Sequence, residues 1–342
     1  MDEEPKTDSE PKLTVSSSPH IYTTESIPKI MYSVVAALMP AFIGALYFFG
    51  WRALWLTAIA VLVSIVTEAI IQKFRKVDIT VTDGSVIVTG ILLAFNLPAG
   101  VPWWIPAVGA FFAVAIGKHA FGGLGFNPMN PALLGRAFLM ASWPVHMTTD
   151  WTNPHGGTLS GLAAITGSTP LAVVKDAMKD ISDGVNVEGA QSVLESTRDL
   201  YFPLFWGRVG GCIGETSVLL LLIGAIYLFY KRYIPYQIPV AYIGSVIIIA
   251  WIFGGEGYFS GDWIFHVLAG GLILGAFFMA TDMVTSPSSP KGQWIFGLGC
   301  GVITMVIRLV GGYPEGVSYS ILLMNLLTPL LDRYTRPKVF GA

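Results

Sequence analysis

Three hydroxyl side chains lie close together in one polar stretch, residues 164–171. They belong to Thr166, Ser168 and Thr169. A threonine before a proline and an apolar run predicts that a helix begins at Pro170 with Thr169 as its N-cap. Backbone N–H groups and the positive end of the helix dipole meet at this point and favour an anion. The stretch therefore predicts either a simple helix cap or a site for a phosphate group.

The Gly- and Pro-rich segment of residues 118–138 is a second candidate site. Asn127 and Asn130 can each donate and accept hydrogen bonds, which suits the edge of a flavin or quinone ring. Phe126 is available to stack on such a ring. Asn130 could instead cap a helix that begins at Pro131. Both readings of Asn130 stay open at this point.

Four charged side chains within apolar runs or near their ends are candidates for a function. Arg136 falls early in one run, where it would contact a flavin or a partner subunit, or extend toward the helix end. Asp83, Glu215 and Asp282 are candidates for the passage of Na+ or H+, or for hydrogen bonds to a ring. Asp83 and Asp282 also lie beside turn residues, where they could act as caps. The two cysteines and five histidines show no ligand spacing, so no metal site is predicted.

The composition predicts a membrane protein. Of 342 residues, 53% are hydrophobic and only 12% are charged, and the mean hydropathy is +0.63. A soluble globular protein of this size needs more charged surface. The formal net charge of -2 and the absence of a basic stripe exclude nucleic acid as an expected partner.

Ten apolar runs predict the elements that hold these side chains, in an all-α polytopic fold of about ten transmembrane helices. Residues 30–143 contain five runs, residues 208–332 contain five more, and residues 144–207 form a polar loop between them. Because an odd number of spans inverts the second half, the chain is predicted to contain two inverted five-helix repeats with broken helices. The predicted spans are 30–49, 53–71, 86–97, 103–116, 131–143, 209–230, 238–253, 264–280, 295–310 and 317–331.

Basic residues orient the predicted spans. They cluster after the second, fourth, sixth, eighth and tenth runs, whereas Arg52 and Arg308 are the main basic residues near the opposite ends. The positive-inside rule therefore places both termini in the cytoplasm and the loop with Thr169 outside. The acidic, Ser- and Pro-rich residues 1–29 are predicted to be a disordered cytoplasmic tail, and residues 333–342 a second cytoplasmic tail.

Three stretches resemble one family of membrane proteins, which includes RnfD of Rnf complexes and NqrB of Nqr complexes. They are residues 164–171, 118–138 and 278–282. In this family, a threonine in a Ser/Thr-Gly-Ala-Thr pattern carries FMN through a phosphoester bond. Thr169 occupies that position, and Ser168 replaces the usual alanine. The resemblance thus implies covalent FMN on Thr169, and noncovalent riboflavin on the cytoplasmic side near Asn127 and Asn130.

The same resemblance implies a function in electron transport. It points to a membrane subunit of an ion-translocating ferredoxin:NAD oxidoreductase of the Rnf type, which relays electrons between flavins and binds no soluble substrate itself. Implied partners are the other Rnf proteins (RnfA, RnfB, RnfC, RnfE and RnfG), membrane lipid, and Na+ or H+, in a prokaryotic cell (inner) membrane. Two alternatives stay open: an Nqr-like quinone reductase subunit, and a channel or secondary transporter built from inverted repeats.

Overall fold

The apolar runs of the first half form helices in the computed structural model, which describes residues 25–154, 162–166, 168–184, 187–215, 217–255, 257–312 and 315–336. These helices are α1 (Ile27–Phe49), α2 (Trp51–Arg75), α3 (Ser85–Phe95), α4 (Trp104–Phe112) and α5 (Pro131–Ser142). Helix α4 continues as a π-helix over Ala113–Lys118 and a 3-10 turn over His119–Phe121. Most of the two predicted tails, residues 1–24 and 337–342, lies outside the described residues.

The polar segment between the halves is folded. It contains α6 (Pro144–Thr148), the antiparallel strands β1 (Thr152–Pro154) and β2 (Leu162–Thr166), α7 (Pro170–Asp183), α8 (Val187–Glu195) and α9 (Tyr201–Trp206). The two short strands are an exception to the predicted all-α fold. They arise in a stretch without a helical apolar pattern. We refer to α7, α8 and α9 as the outer unit.

The second half contains more interruptions than the first. Its helices are α10 (Val218–Tyr230), α11 (Gln237–Phe253), α12 (Trp263–Leu268), α13 (Leu272–Leu274) with a π-turn over Gly275–Met279, α14 (Pro290–Leu309) and α15 (Val317–Tyr334). The predicted eighth span is thus broken at residues 269–271. The predicted sixth span was wrong at its start, because residues 210–214 pair with the end of α3: Ile213 N–H donates to Leu97 and Gly214 N–H donates to Phe95.

Helix length and composition support the predicted membrane fold. Four helical segments are long and apolar enough to cross a bilayer: Ile27–Phe49, Trp51–Arg75, Trp104–Phe121 and Pro290–Leu309. Three shorter helices, α3, α10 and α11, are also apolar. Many large apolar side chains on these helices are exposed, as expected for surfaces that face lipid. The chain is therefore a helical membrane protein.

The two halves pack closely where α1 crosses α10. Gly224 on α10 lies against the backbone of α1, so that a Cβ atom at this position would collide with the carbonyl oxygen of Ala37. Small residues allow such close approach between membrane helices. This contact joins the first helix of one half to the first helix of the other.

Gly224→Ala should weaken this packing. We expect a loss of about 1–3 kcal/mol in stability, because the two helices must move apart. The matched control is Gly244→Ala on α11, where a Cβ would meet no atom within 4 Å. Both changes raise helix propensity by the same amount. A lower melting temperature in detergent for Gly224→Ala than for Gly244→Ala would therefore measure the loss of packing. Equal melting temperatures for the two variants would contradict the close contact.

Candidate functional site

Thr169 lies at the beginning of α7, as predicted. Its Oγ1 accepts a hydrogen bond from the Ala172 N–H at 3.3 Å, and Pro170 occupies the first helical turn. The N-cap prediction is therefore confirmed. Thr169 is only 5% exposed, whereas the neighbouring Ser168 is exposed. Thr166 ends strand β2, where it pairs in register with Thr152.

Thr169 lines a small pocket of about 20 Å³, which we call the outer pocket. The outer unit and the second half both contribute to it, the second half through the segment before α10, the break between α12 and α13, and the segment before α15. Two acidic side chains, Glu215 and Glu315, line the pocket together with Thr169. The other lining residues are Pro170, Leu171, Leu204, Val209, Gly210, Gly211, Leu268 and Gly270.

Arg136 extends from α5 to the edge of this pocket. Its guanidinium contacts the carboxylate of Glu315 and donates to Asn96 Oδ1 at 2.7 Å. It also lies 3.9 Å from Cys212 Sγ. Arg136 is 4% exposed, so it does not extend along the surface to the helix end. Burial is tolerable because the charge is paired and hydrogen-bonded.

Cys212, Glu215 and Glu315 offer ligand atoms within 4.8 Å of one another. The positive charge of Arg136 already faces this cluster, through its contacts with Glu315 and Cys212. We therefore do not assign the cluster to a metal ion. Glu315 was missed in the sequence, because it lies in a short Gly-rich break with no pattern around it.

Polar contacts anchor the outer unit, and the turn that precedes α9, on the second half. Asp262 accepts hydrogen bonds from the Tyr201 hydroxyl at 2.6 Å and from Thr197 Oγ1 at 3.0 Å. Burial and the bond to Asp262 raise the pKa of Tyr201 to about 12. Lys175 on α7 donates to the carbonyl of Gly311 at the end of α14, and burial lowers the pKa of this lysine. These contacts fix the beginning of α7 against the outer pocket.

A second cavity, of about 90 Å³, lies between the two halves at the end where the exposed basic residues cluster. We call it the inner cavity. Its polar lining comprises Ser85, Thr89, Lys118, Asn127, Tyr233, Thr281 and Asp282. Asn127 Nδ2 donates to the Met129 carbonyl at 3.1 Å, while its buried Oδ1 has no partner among the described residues. An unpaired buried acceptor of this kind suits a ligand that offers an N–H group.

The other two residues predicted near this site do not line the cavity. Asn130 caps α5 by accepting from the N–H groups of Ala132 at 3.0 Å and Leu133 at 3.3 Å. Its Nδ2 donates to the Met279 carbonyl of the other half at 3.4 Å. Asn130 therefore acts as a helix cap, which is one of the two alternatives predicted for it. Phe126 is 72% exposed, and its ring lies at the surface.

The three predicted acidic candidates have different surroundings. Asp83 accepts from the backbone and hydroxyl of Ser85 at 2.8 Å and 2.6 Å, so it acts as a local cap. Asp282 lines the inner cavity and accepts from Val284 N–H and Thr285 Oγ1. Glu215 lies in the outer pocket. The structure therefore does not bring the three acids together.

A buried ion pair beside the inner cavity was not predicted. Lys118 Nζ lies 2.7 Å from Glu68 Oε2 and donates to Ser85 Oγ at 2.8 Å. The Lys118 and Glu68 side chains are 2% and 1% exposed, and His119 Nε2 lies 3.8 Å from Glu68. From the sequence alone, Lys118 was interpreted as a charge in a loop, because its partner Glu68 is 50 residues away.

Comparison with known proteins identifies the family. Residues 14–341 match the NQR2, RnfD, RnfE family. The chain belongs to this family. The family prediction from residues 118–138, 164–171 and 278–282 is therefore confirmed.

Relatives of this family member cover nearly its whole length. It is 50% identical over 330 residues to the D subunit of the proton-translocating ferredoxin:NAD(+) oxidoreductase complex of Clostridium ljungdahlii, covering 96% of each chain. It is 51% identical over 329 residues to the D subunit of the Na(+)-translocating ferredoxin:NAD(+) oxidoreductase complex of Acetobacterium woodii, covering 96% of this chain and 95% of the relative. The D subunit of an ion-translocating oxidoreductase complex from Escherichia fergusonii is 35% identical over 347 residues, covering 96% of this chain and 98% of the relative.

Proposed function

We propose that this chain is the D subunit of an Rnf-type ferredoxin:NAD+ oxidoreductase complex that couples electron transfer to ion transport. The observation that carries this proposal is the identity of about half of all residues, over 96% of the chain, to two proteins with that name. The implied partners are RnfA, RnfB, RnfC, RnfE and RnfG and the surrounding lipid. The transported ion is Na+ or H+, because relatives of nearly equal identity are named for each.

Covalent FMN on Thr169 is part of this proposal. A flavin phosphate at this position would meet the N-terminal N–H groups of α7, which favour a negative charge. Thr169 lines a pocket, so it is not simply packed in the core. The nearby helix α9 presents two stacked rings, Phe202 and Trp206, whose centroids are 6.2 Å apart and which are 67% and 44% exposed. These rings offer an apolar surface against which a flavin ring can pack.

Noncovalent riboflavin in the inner cavity is the second part. The free Oδ1 of Asn127 is an acceptor for a ring N–H, and the hydroxyls of Thr89 and Thr281 line the same cavity. Flavins bound at the two sites supply the electron-transfer chemistry. The protein would hold them in separate sites, one at Thr169 in the outer pocket and one at Asn127 in the inner cavity. Both halves line the inner cavity, whereas the outer unit and the second half line the outer pocket.

Asn127→Leu should weaken the retention of noncovalent flavin. We expect a loss of about 10–100-fold in affinity, because a buried ring N–H would be left without an acceptor. The measurement is the amount of flavin released when the washed, purified complex is denatured. Phe126→Ala is the control, since this exposed neighbour lies outside the cavity and should leave flavin content unchanged. Loss of flavin in Phe126→Ala but not in Asn127→Leu would instead place the ring at the surface near Phe126.

The finer membrane topology is also a proposal: ten spans in two inverted repeats of five, with both termini cytoplasmic and Thr169 outside. Lys118 and Arg308, which end corresponding helices of the two halves, are 1% and 3% exposed, which supports the repeat. Exposed basic residues lie at the ends of α2, α10 and α15 and at the start of α14, which supports the orientation. These residues are Lys73, Arg75, Lys76, Lys231, Arg232, Lys291 and Arg333.

Deletion and complementation test the proposed function. Membranes from a strain that lacks this chain should lose ferredoxin-dependent reduction of NAD+, and the wild-type chain should restore it. The alternatives, a channel or a secondary transporter, predict that this activity survives the deletion. Unchanged activity in the deletion strain would therefore contradict the proposal.

A further inference from the structure

One buried carboxyl group beside Thr169 has an oxygen without a partner. Glu215 is 6% exposed, and its Oε1 accepts a hydrogen bond from the Cys212 N–H at 3.1 Å. Its Oε2 is buried and makes no hydrogen bond within the part of the chain that the structure describes. The carboxylates of Asp83 and Asp282 both accept hydrogen bonds from neighbouring side chains, so Glu215 is exceptional among the three predicted acids.

Glu215 Oε2 points toward the glycines of the break between α12 and α13, on the other side of the outer pocket. A Cβ atom at Gly271 would lie 2.5 Å from Glu215 Oε2, so a larger residue at that position would collide with the carboxylate. Gly270 and Gly211 line the same pocket. The carboxylate therefore has access to the pocket, and through it to Thr169.

The charged groups that face Glu215 leave it without a direct counter-charge. Arg136 on α5 is engaged by Glu315, which precedes α15. Arg308 on α14 donates to the carbonyl oxygens of His266 and Ala269, which holds it at the end of α12. Cys212, in the same segment as Glu215, is the remaining titratable neighbour. Glu215 forms no salt bridge among the described residues.

A carboxylate that is this deeply buried, lies beside a second carboxylate and has no salt bridge of its own is unfavourable when ionised, unless a cation neutralises it. A proton does this with one O–H bond. A Na+ ion needs several oxygen ligands, and here it would also approach Arg136, which contacts Glu315 in the same cluster. The arrangement therefore favours a proton.

We propose that Glu215 is a protonation site that exchanges one proton with the outer pocket next to Thr169. In the exchange, Oε2 gains an O–H bond as a hydronium ion in the pocket becomes water, and the reverse step releases the proton. The inference rests on the proposed function, which it deepens by naming H+ as the ion that this group binds. It gives the protein a proton-binding group immediately beside the proposed flavin attachment point.

Infrared difference spectroscopy of the purified complex tests this proposal. Between about pH 5 and about pH 9, the range in which buried carboxyl groups titrate, we expect the carbonyl band of one protonated carboxyl group per chain to disappear. Glu215→Gln should remove this band. The matched control is Glu188→Gln on α8, an exposed acid whose removal should leave the band unchanged. A band that persists in Glu215→Gln, or no band in the wild type, would overturn the proposal.

Two further measurements, on a conservative variant and with added Na+, distinguish the possible causes of a lost band. Glu215→Asp retains a carboxyl group and should show a titrating band at a shifted frequency, which guards against misfolding of the Gln variant. Addition of Na+ at constant pH, compared with K+, should leave the band intact, whereas its loss would identify a Na+ ligand and overturn the proposal.

Covalent flavin is measured separately by fluorescence of the denatured chain. A chain that shows the band but carries no flavin would contradict the proposed function and leave the protonation site in place.

Discussion

Thr169→Val should abolish the covalent flavin that we propose at this position. Valine has nearly the shape of threonine but no hydroxyl group, so no phosphoester can form at this position. The lost N-cap bond to Ala172 costs about 1 kcal/mol, which leaves most of the protein folded. The measurement is flavin fluorescence of the chain after denaturing electrophoresis, in cells that also produce the flavin transferase. We expect a fluorescent wild-type band and a dark band for the variant.

Ser168→Ala is the matched control for this experiment. Ser168 offers a hydroxyl group next to Thr169 but is exposed, whereas Thr169 is at the helix N-terminus and lines the outer pocket. The Ser168 variant should therefore stay fluorescent. A fluorescent Thr169→Val band together with a dark Ser168→Ala band would move the attachment to Ser168.

Lys118→Met should destabilise the first half strongly. The change leaves Glu68 buried, 1% exposed, without its cationic partner. Removing one member of a buried ion pair typically costs about 3–5 kcal/mol, because the remaining charge is uncompensated. Thermal unfolding of the purified chain in detergent would measure the loss. Lys291→Met, at an exposed lysine, should change stability by less than about 0.5 kcal/mol.

The double variant Lys118→Met/Glu68→Gln identifies the cause of this loss. Glutamine carries no charge, and its amide can still bond to Gln72, which donates to Glu68 Oε1 at 3.2 Å in the native protein. Most of the lost stability should therefore return, since replacing both partners of a buried pair is often nearly neutral. If the double variant is as unstable as Lys118→Met alone, packing around the lysine stem is the dominant contribution.

Local sequence signals predicted much of the fold and part of the candidate sites. The start of α7 at Thr169 and the start of α5 at Asn130 follow from N-cap chemistry between adjacent residues. The start of α15 at Val317 follows from an apolar run after a Gly-rich break. The sixth predicted span began too early because pairing with the end of α3 fixes residues 210–214, and that pairing joins distant parts of the chain.

Long-range pairs account for what the sequence did not predict. Lys118 and Glu68 are 50 residues apart, and Arg136 and Glu315 are 179 residues apart. Glu68 lies within α2 and Arg136 within α5, but their partners are far away in the sequence, so only the folded chain shows that they are paired. Phe126 is the opposite case. Its position next to Asn127 suggested that it stacks on a bound flavin or quinone ring, but it lies at the surface.

Mass spectrometry of the native complex tests the flavin attachment most directly. Trypsin should release residues 137–175 as one peptide, because no lysine or arginine lies between Arg136 and Lys175. We expect this peptide to carry the mass of FMN less one water, with fragmentation placing the addition on Thr169. An unmodified peptide from a complex that still transfers electrons from ferredoxin to NAD+ would contradict covalent attachment at Thr169.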